Sequence, residues 1–228
     1  MTPHGCDRDS HDEQATGIIH RRLHDTSPND SASPCGPVEV VSGDASLAAV
    51  ETIYLPDVVK NHMIRHALRK LSGQCLPGEH SERKAFGLLG GVYVRADAIQ
   101  LLVAFPLMIN RRYDSGLRSY MNRVVTAVGV PSETPFDRRG WVADPSEVLR
   151  ADADFSGAGA VMVGAYHMHR VPWPEDPIRD SCTELDRVLA FGSGIWTFIL
   201  SMVNPTEPRI RAFFEGSNER EASVVLVP

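Results

Sequence analysis

Cysteine is scarce. The 228 residues hold four, at positions 6, 35, 75 and 182, with no Cys-x-x-Cys pair among them. That excludes a zinc ribbon and a disulfide framework. No apolar run approaches the roughly 18 residues needed to cross a bilayer, and LLVAFPLMI (101–109) is too short. The N-terminus lacks the basic start and apolar stretch of a secretory signal, so a cytoplasmic protein is expected. Positive charge is in deficit: 23 Lys and Arg against 29 Asp and Glu give a net charge of −6. General nucleic-acid binding needs a cationic surface that displaces counterions, and membrane association has no segment to serve it, so neither partner is expected. There is no P-loop, no internal repeat, and GLLGG (87–91) lacks the spacing of a dinucleotide site.

What is present is the composition of a globular protein, 43% hydrophobic and 23% charged. Residues 1–46 are rich in His, Asp, Ser, Pro and Arg and lack apolar periodicity. They are expected to form a disordered tail, because too little surface could be buried to offset the entropy of ordering. A folded domain is expected over 47–228. Asp57 can cap a helix whose apolar face carries Val58, Val59, Met63, Ile64, Ala67, Leu68 and Leu71 and which ends at Gly73. The runs 85–94 and 98–109, separated by Arg95-Ala96-Asp97, read as a hairpin. A long connection with a short helix near 115–127 follows. Asp144-Pro145-Ser146-Glu147 starts another helix, with a capping acceptor before a proline in the first turn. Strands are then expected at 159–169, 195–203, 209–216 and 222–227, with a helix ending near Phe191 before the second of them. This order indicates an α/β or α+β domain, a mixed sheet flanked by helices. The arginines at 111, 112, 118, 123, 138 and 139 form either a solvated face or a rim that attracts an acidic substrate.

His167 and His169 end the apolar strand. Side chains two apart on a strand share a face, so both imidazoles point the same way, and neutral nitrogen is a good ligand for zinc. Acids follow at Glu175, Asp176, Asp180, Glu184 and Asp186. A carboxylate on the following helix can complete a three-ligand site, with the fourth position left for water, the pattern of a catalytic zinc. Ser181 and Cys182 lie nearby, but no base-orienting acid is evident from spacing, and Cys182 reads as structural.

These residues resemble the JAMM (MPN-positive, JAB-domain) metalloproteases, whose pattern is His-x-His-Pro followed by Ser-x-x-Asp, with a glutamate just before a Gly-Leu-Leu-x-Gly strand. GAYHMH (164–169) is similar to the histidine strand, GLLGG (87–91) to the glycine-leucine strand and FPLMIN (105–110) to the next. ADPSEVLRA (143–151) resembles the helix before the histidines, while FILSMVNP (198–205) and RIRAFF (209–214) resemble the closing strands. The resemblance covers about 47–228. It implies an MPN-like, cytidine-deaminase-like fold, a zinc ion (or another divalent metal such as iron) on His167, His169 and one acid, and hydrolysis of a peptide, isopeptide or amide bond. The implied substrate is the C-terminal tail of a ubiquitin-like or sulfur-carrier protein.

The sequence departs from the pattern at three places. Arg170 replaces the proline. For the third ligand, Asp180 has the usual spacing but Pro177 replaces its serine, whereas Thr183-Glu184-Leu185-Asp186 keeps hydroxyl-x-x-Asp and makes Asp186 the slightly preferred acid. Lys84 stands where the family has its glutamate, and Glu82, two residues earlier, is the candidate base. Thr183, or Ser181 if the loop differs, would donate to the oxyanion, and Arg170 and Trp173 would line the substrate channel. Two other expectations remain open: a metal-dependent enzyme acting on a small-molecule amide or by other chemistry, and a non-catalytic MPN-like scaffold.

Overall fold

The structure, a computed structural model, describes residues 46–129, 134–170 and 180–228. The expected N-terminal tail, Trp173, Glu175, Asp176 and Pro177 lie outside them. Seven strands form a closed barrel in the order β1-β3-β2-β4-β5-β6-β7. They are β1 (Thr52–Pro56), β2 (Phe86–Arg95), β3 (Ala98–Pro106), β4 (Val161–His169), β5 (Trp196–Ser201), β6 (Arg209–Phe214) and β7 (Glu221–Val227). Helices α1 (Asp57–Leu71), α2 (Ser115–Val128), α3 (Pro145–Gly157) and α4 (Glu184–Ala190) accompany them.

This corrects the expected fold class. The sheet is not an MPN-type mixed sheet sandwiched by helices, because it has no free lateral edges. β1 pairs in parallel with β3 on one side and with β7 on the other, and so closes the ring. The sequence reading passed over β1 because it is five residues long and ends in Pro56, directly against α1. Asp57 is correspondingly the first residue of α1 and not its cap. The cap position is Pro56, which makes no side-chain bond, and Asp57 instead pairs with Lys60.

The β2–β3 hairpin forms as expected, with antiparallel register from Gly87↔Pro106 to Arg95↔Ala98. Asp144 caps α3 by accepting from Ser146 N, with Pro145 in the first turn. The main core holds Ile53, Leu55, Leu89, Ile99, Phe198 and Leu200, with Met63 and Ala67 of α1 packed into it. A second core, built on Leu88, Ala151 and Phe155, joins α3 to the other face of the sheet at β2 and β4. Glu147 of α3 is buried, and its carboxylate accepts from Met108 N at 2.9 Å and Ile109 N at 3.0 Å. It thereby satisfies the backbone where β3 ends.

Close approach explains one glycine of GLLGG. Gly87 faces Tyr166 across the β2/β4 ladder. A Cβ there would lie 2.2 Å from Tyr166 Cε1 and 2.6 Å from the carbonyl oxygen of Phe105. The ring is buried and the carbonyl belongs to the neighbouring strand, so neither yields easily. Gly87→Ala is therefore expected to destabilise the domain by about 1–3 kcal/mol as an overpacked core substitution. Thermal unfolding followed by circular dichroism should show the midpoint falling by about 2–4 °C for each kcal/mol lost. An unchanged midpoint would contradict this packing.

Candidate metal centre

β4 carries a β-bulge, where Leu89 pairs with Gly164 but Gly90 pairs with Met162. Beyond that point Tyr166 and Met168 face the main core, while Ala165 belongs to the second core. His167 and His169 continue the row begun by Ala165, as strand alternation requires. Their side chains are 13% and 17% exposed, open enough to be reached and buried enough to be held. Phe86, opposite His167 in the ladder, stacks on its ring at 5.3 Å, and Trp141 stacks on Phe86 at 4.7 Å. This aromatic pile fixes the imidazole plane. Among the described residues the buried Trp141 Nε1 has no hydrogen-bond partner.

The third member comes from α4. Thr183 and Asp186 form a capping box, in which Asp186 N donates to Thr183 Oγ1 and Thr183 N donates to Asp186 Oδ2. The Thr183 hydroxyl also donates to Asp186 Oδ2, at 2.7 Å. A hydroxyl has one hydrogen, and here it is committed. The sequence assigned Thr183 to an oxyanion; the structure places it behind Asp186, where it orients the carboxylate. Asp186 Oδ1 lies 3.1 Å from His167 Nε2, and Oδ2 lies 3.5 Å from His169 Nε2. The two Nε2 atoms are 3.1 Å apart. Burial opposes charge on Asp186, yet the imidazoles of His167 and His169 hold its carboxyl well below the usual carboxylate range.

A tetrahedral zinc with bonds of about 2.0–2.1 Å spaces its ligand atoms about 3.3 Å apart. The contacts from His167 to His169 and to Asp186 Oδ1, both 3.1 Å, are close to that spacing, and His169 meets the other carboxylate oxygen at 3.5 Å. Donor type agrees as well, since two imidazoles and a carboxylate suit zinc and also suit ferrous iron. Among the described residues His167, His169 and Asp186 form a group of side chains able to converge on a metal ion. Asp180 is not in that group: it accepts from Ser201 Oγ at 2.5 Å, Ser201 being the partner of His169 in the β4/β5 register, and lies 3.8 Å from Arg209.

Glu82 is 8% exposed and already engaged. Asn110 Nδ2 donates to both its oxygens at 3.2 Å, Tyr113 OH donates to Oε1, and Lys84 Nζ lies 3.9 Å from Oε2. Burial and the bond to Glu82 push the Tyr113 phenol above its ordinary range, so it acts as a donor. Asn110 is itself fixed, its Oδ1 accepting from Arg112 N at 3.0 Å and Val142 N at 3.1 Å. Cys182 is buried with Ile199 and Phe213, and burial raises its thiol well above the ordinary range, as suits a structural residue. Ser181 accepts from Arg211. Arg170 directly follows β4 and is half-buried.

Phe86, Trp141 and Tyr113 were not singled out from sequence, because their roles depend on ladder register and on the 110–143 connection. The arginine group is divided by the structure: Arg112 is fully buried, while Arg111 pairs with Asp114 and Asp144.

No protein-family model matches this chain. No curated protein matches it either. Among solved structures it is similar to protein DSY2949 from Desulfitobacterium hafniense, determined in solution. The identity is 25%, the TM-score 0.47, and the match covers 77% of this chain and 92% of that one.

Proposed function

We propose that this chain is a metal-dependent hydrolase with a JAMM-type site, in which His167, His169 and Asp186 hold zinc or, alternatively, iron. The observation that carries this reading is the convergence of two imidazole nitrogens of β4 and the Asp186 carboxylate of α4, with contacts of 3.1–3.5 Å among them. Bound there, the ion would supply Lewis acidity, making a water acidic near neutral pH and polarising a carbonyl. Glu82, four residues before the Phe86 that stacks on His167, is the proton acceptor, and it returns the proton to the leaving amine. Tyr113 and Asn110 fix its carboxylate and Lys84 balances its charge. Thr183 aims the Asp186 carboxylate. The substrate is an amide or isopeptide, at the tail of a ubiquitin-like or sulfur-carrier protein or in a small molecule. Among the described residues no helix is long and apolar enough to cross a membrane.

A second reading, a non-catalytic scaffold, is favoured by the same engagement of Glu82, because a carboxylate holding Asn110 and Tyr113 is also a structural clasp. The two separate on the zinc-loaded protein. One substrate set joins a ubiquitin-like or sulfur-carrier tail through its terminal glycine to a reporter amine; the other is a set of N-acyl amino acids. Cleavage that stops on chelation, with kcat falling about 10²–10⁴-fold in Glu82→Gln while zinc is retained, is the expected result. Stoichiometric zinc without cleavage of any substrate would overturn the enzyme reading in favour of the scaffold.

A further inference from the structure

We propose that the turn between β6 and β7, acting through Asn218 and Gly216, positions Asp186 and so sets how tightly the His167–His169–Asp186 group holds its metal. The proposal rests on the metal reading of that group, whatever reaction the metal serves. The ligands are held in different ways. His167 and His169 belong to β4, which is paired with β2 on one side and β5 on the other. Asp186 is carried by α4, a helix of seven residues of which none is buried. So short a helix is not stable by itself, and no residue sunk in the core anchors it. Its capping box turns the carboxylate relative to the helix but does not decide where the helix stands.

The turn supplies that placement at three points. Asn218 Nδ2 donates to the carbonyl of Cys182 at 2.9 Å, and its Oδ1 accepts from Cys182 N at 3.1 Å. This two-way clamp grips the residue immediately before the Thr183 cap. Cys182 is also buried against Ile199, the partner of His167 in the β4/β5 register, so the entry to α4 is fixed one strand from the histidines. Gly216 lies against the backbone of the ligand itself. A Cβ there would lie 3.0 Å from Asp186 O and 3.0 Å from Arg187 Cα, and its φ of +69° favours glycine in any case. On the segment leaving α4, Gly194 N donates to Glu215 Oε1 at 2.8 Å, and Glu215 N donates to the carbonyl of Ile195 at 3.0 Å. Glu215 has a φ of +51°, the left-handed region that a residue other than glycine enters at a cost. One turn therefore holds the entry, the middle and the exit of the helix that carries Asp186. A carboxylate oxygen sits about 2.0–2.2 Å from zinc, so a displacement of α4 by about 0.5 Å is felt at the ion.

Three measurements on the full chain test this: zinc affinity by competition titration, the absorption spectrum with cobalt in place of zinc, and amide exchange of the metal-free protein. Asn218→Ala loses both clamp bonds, and Gly216→Ala pushes on the α4 backbone. Each should weaken zinc binding by about 10–100-fold, the usual effect of losing a group that orients a ligand. Their cobalt spectra should differ from that of the wild type, because Asp186 meets the ion in a changed geometry. In metal-free Asn218→Ala the amides of α4 should exchange about tenfold faster. Glu79→Gln is the control for lost stability alone. Its carboxylate binds Arg69 and Lys70 of α1, and zinc affinity should stay at the wild-type value. Wild-type affinity and spectrum in Asn218→Ala, or an equal loss of affinity in Glu79→Gln, would overturn the proposal. A wild type that binds no zinc overturns the metal reading instead, and exchange then decides the clamp alone: unchanged rates in Asn218→Ala overturn it.

Discussion

Asp186→Ala is expected to abolish zinc binding at the proposed site, lowering affinity by more than the 10–100-fold typical of losing an outer-shell partner. Asp186 supplies the acidic donor of the group, 3.1 Å from one imidazole and 3.5 Å from the other, and two neutral imidazoles alone leave a divalent ion without local charge compensation. The same residue is half of the α4 capping box, so the alanine variant also loses helix stability, by about 1 kcal/mol. Asp186→Asn separates the two effects. Its amide oxygen can still accept from Thr183 and hold the cap, but it presents no anionic oxygen to the ion. Metal content by mass spectrometry and competition titration should show zinc lost in both variants, with the stability loss confined mainly to alanine. Asp180→Ala serves as the control: its carboxylate is bound to Ser201, and it should leave zinc affinity unchanged. Retention of stoichiometric zinc by Asp186→Ala would remove the triad as a metal centre.

The legible part of this molecule is the part governed by short-range pattern. The alternation that puts His167 and His169 on one face is fixed by β4 itself. The Thr183-x-x-Asp186 spacing that brings a carboxylate back to them is a helix-start motif whose capping geometry is local. The β2–β3 hairpin and the Asp144-Pro145 start of α3 are legible for the same reason. What could not be read depends on contacts between distant segments. Five residues, Thr52–Pro56, turn a sheet into a barrel because they find β3 on one side and β7 on the other, and no periodicity in so short a run announces two partners. The surroundings of Glu82 were hidden likewise. Asn110 and Tyr113 reach it from a connection nearly thirty residues later, and the carboxylate read from sequence as the candidate base is enclosed in the fold by partners that no local pattern announces. Arg112 lies among arginines that read either as a solvated face or as an anion-attracting rim, yet it is buried because carbonyls from three places converge on it.

Glu79 is a further residue that pattern alone did not mark, and its substitution should have the largest effect on stability. Its side chain is fully buried against α1, where Arg69 binds both carboxylate oxygens, Lys70 Nζ lies 3.2 Å from Oε1 and Leu76 N donates at 2.8 Å. The Lys70 side chain is 1% exposed. His66 cannot relieve the charge balance: burial first, and Arg69 next, lower its pKa to about 4 against the pull of Glu79, so it is neutral and bonded to Tyr166 at 2.8 Å. Glu79→Gln therefore leaves Lys70 buried without an anion, and breaking a buried pair in this way costs about 3–5 kcal/mol. The pH dependence has a defined sign. Although burial alone would raise it, the bonds from Arg69, Leu76 and Lys70 lower the Glu79 pKa to about 2. A depressed folded-state pKa gives stabilisation that is complete above the unfolded value near 4.5 and is lost as pH falls toward 2. Urea unfolding between pH 2 and 7 should show wild-type stability falling along that acid limb, with a shallower fall in Glu79→Gln. Adding Lys70→Met to Glu79→Gln removes the stranded cation, and Arg69, which is 20% exposed, can reach water, so the double variant should be more stable than the single one. A single variant as stable as the wild type, or a double variant with no recovery, would show that this carboxylate does not hold α1 to the segment leading into β2.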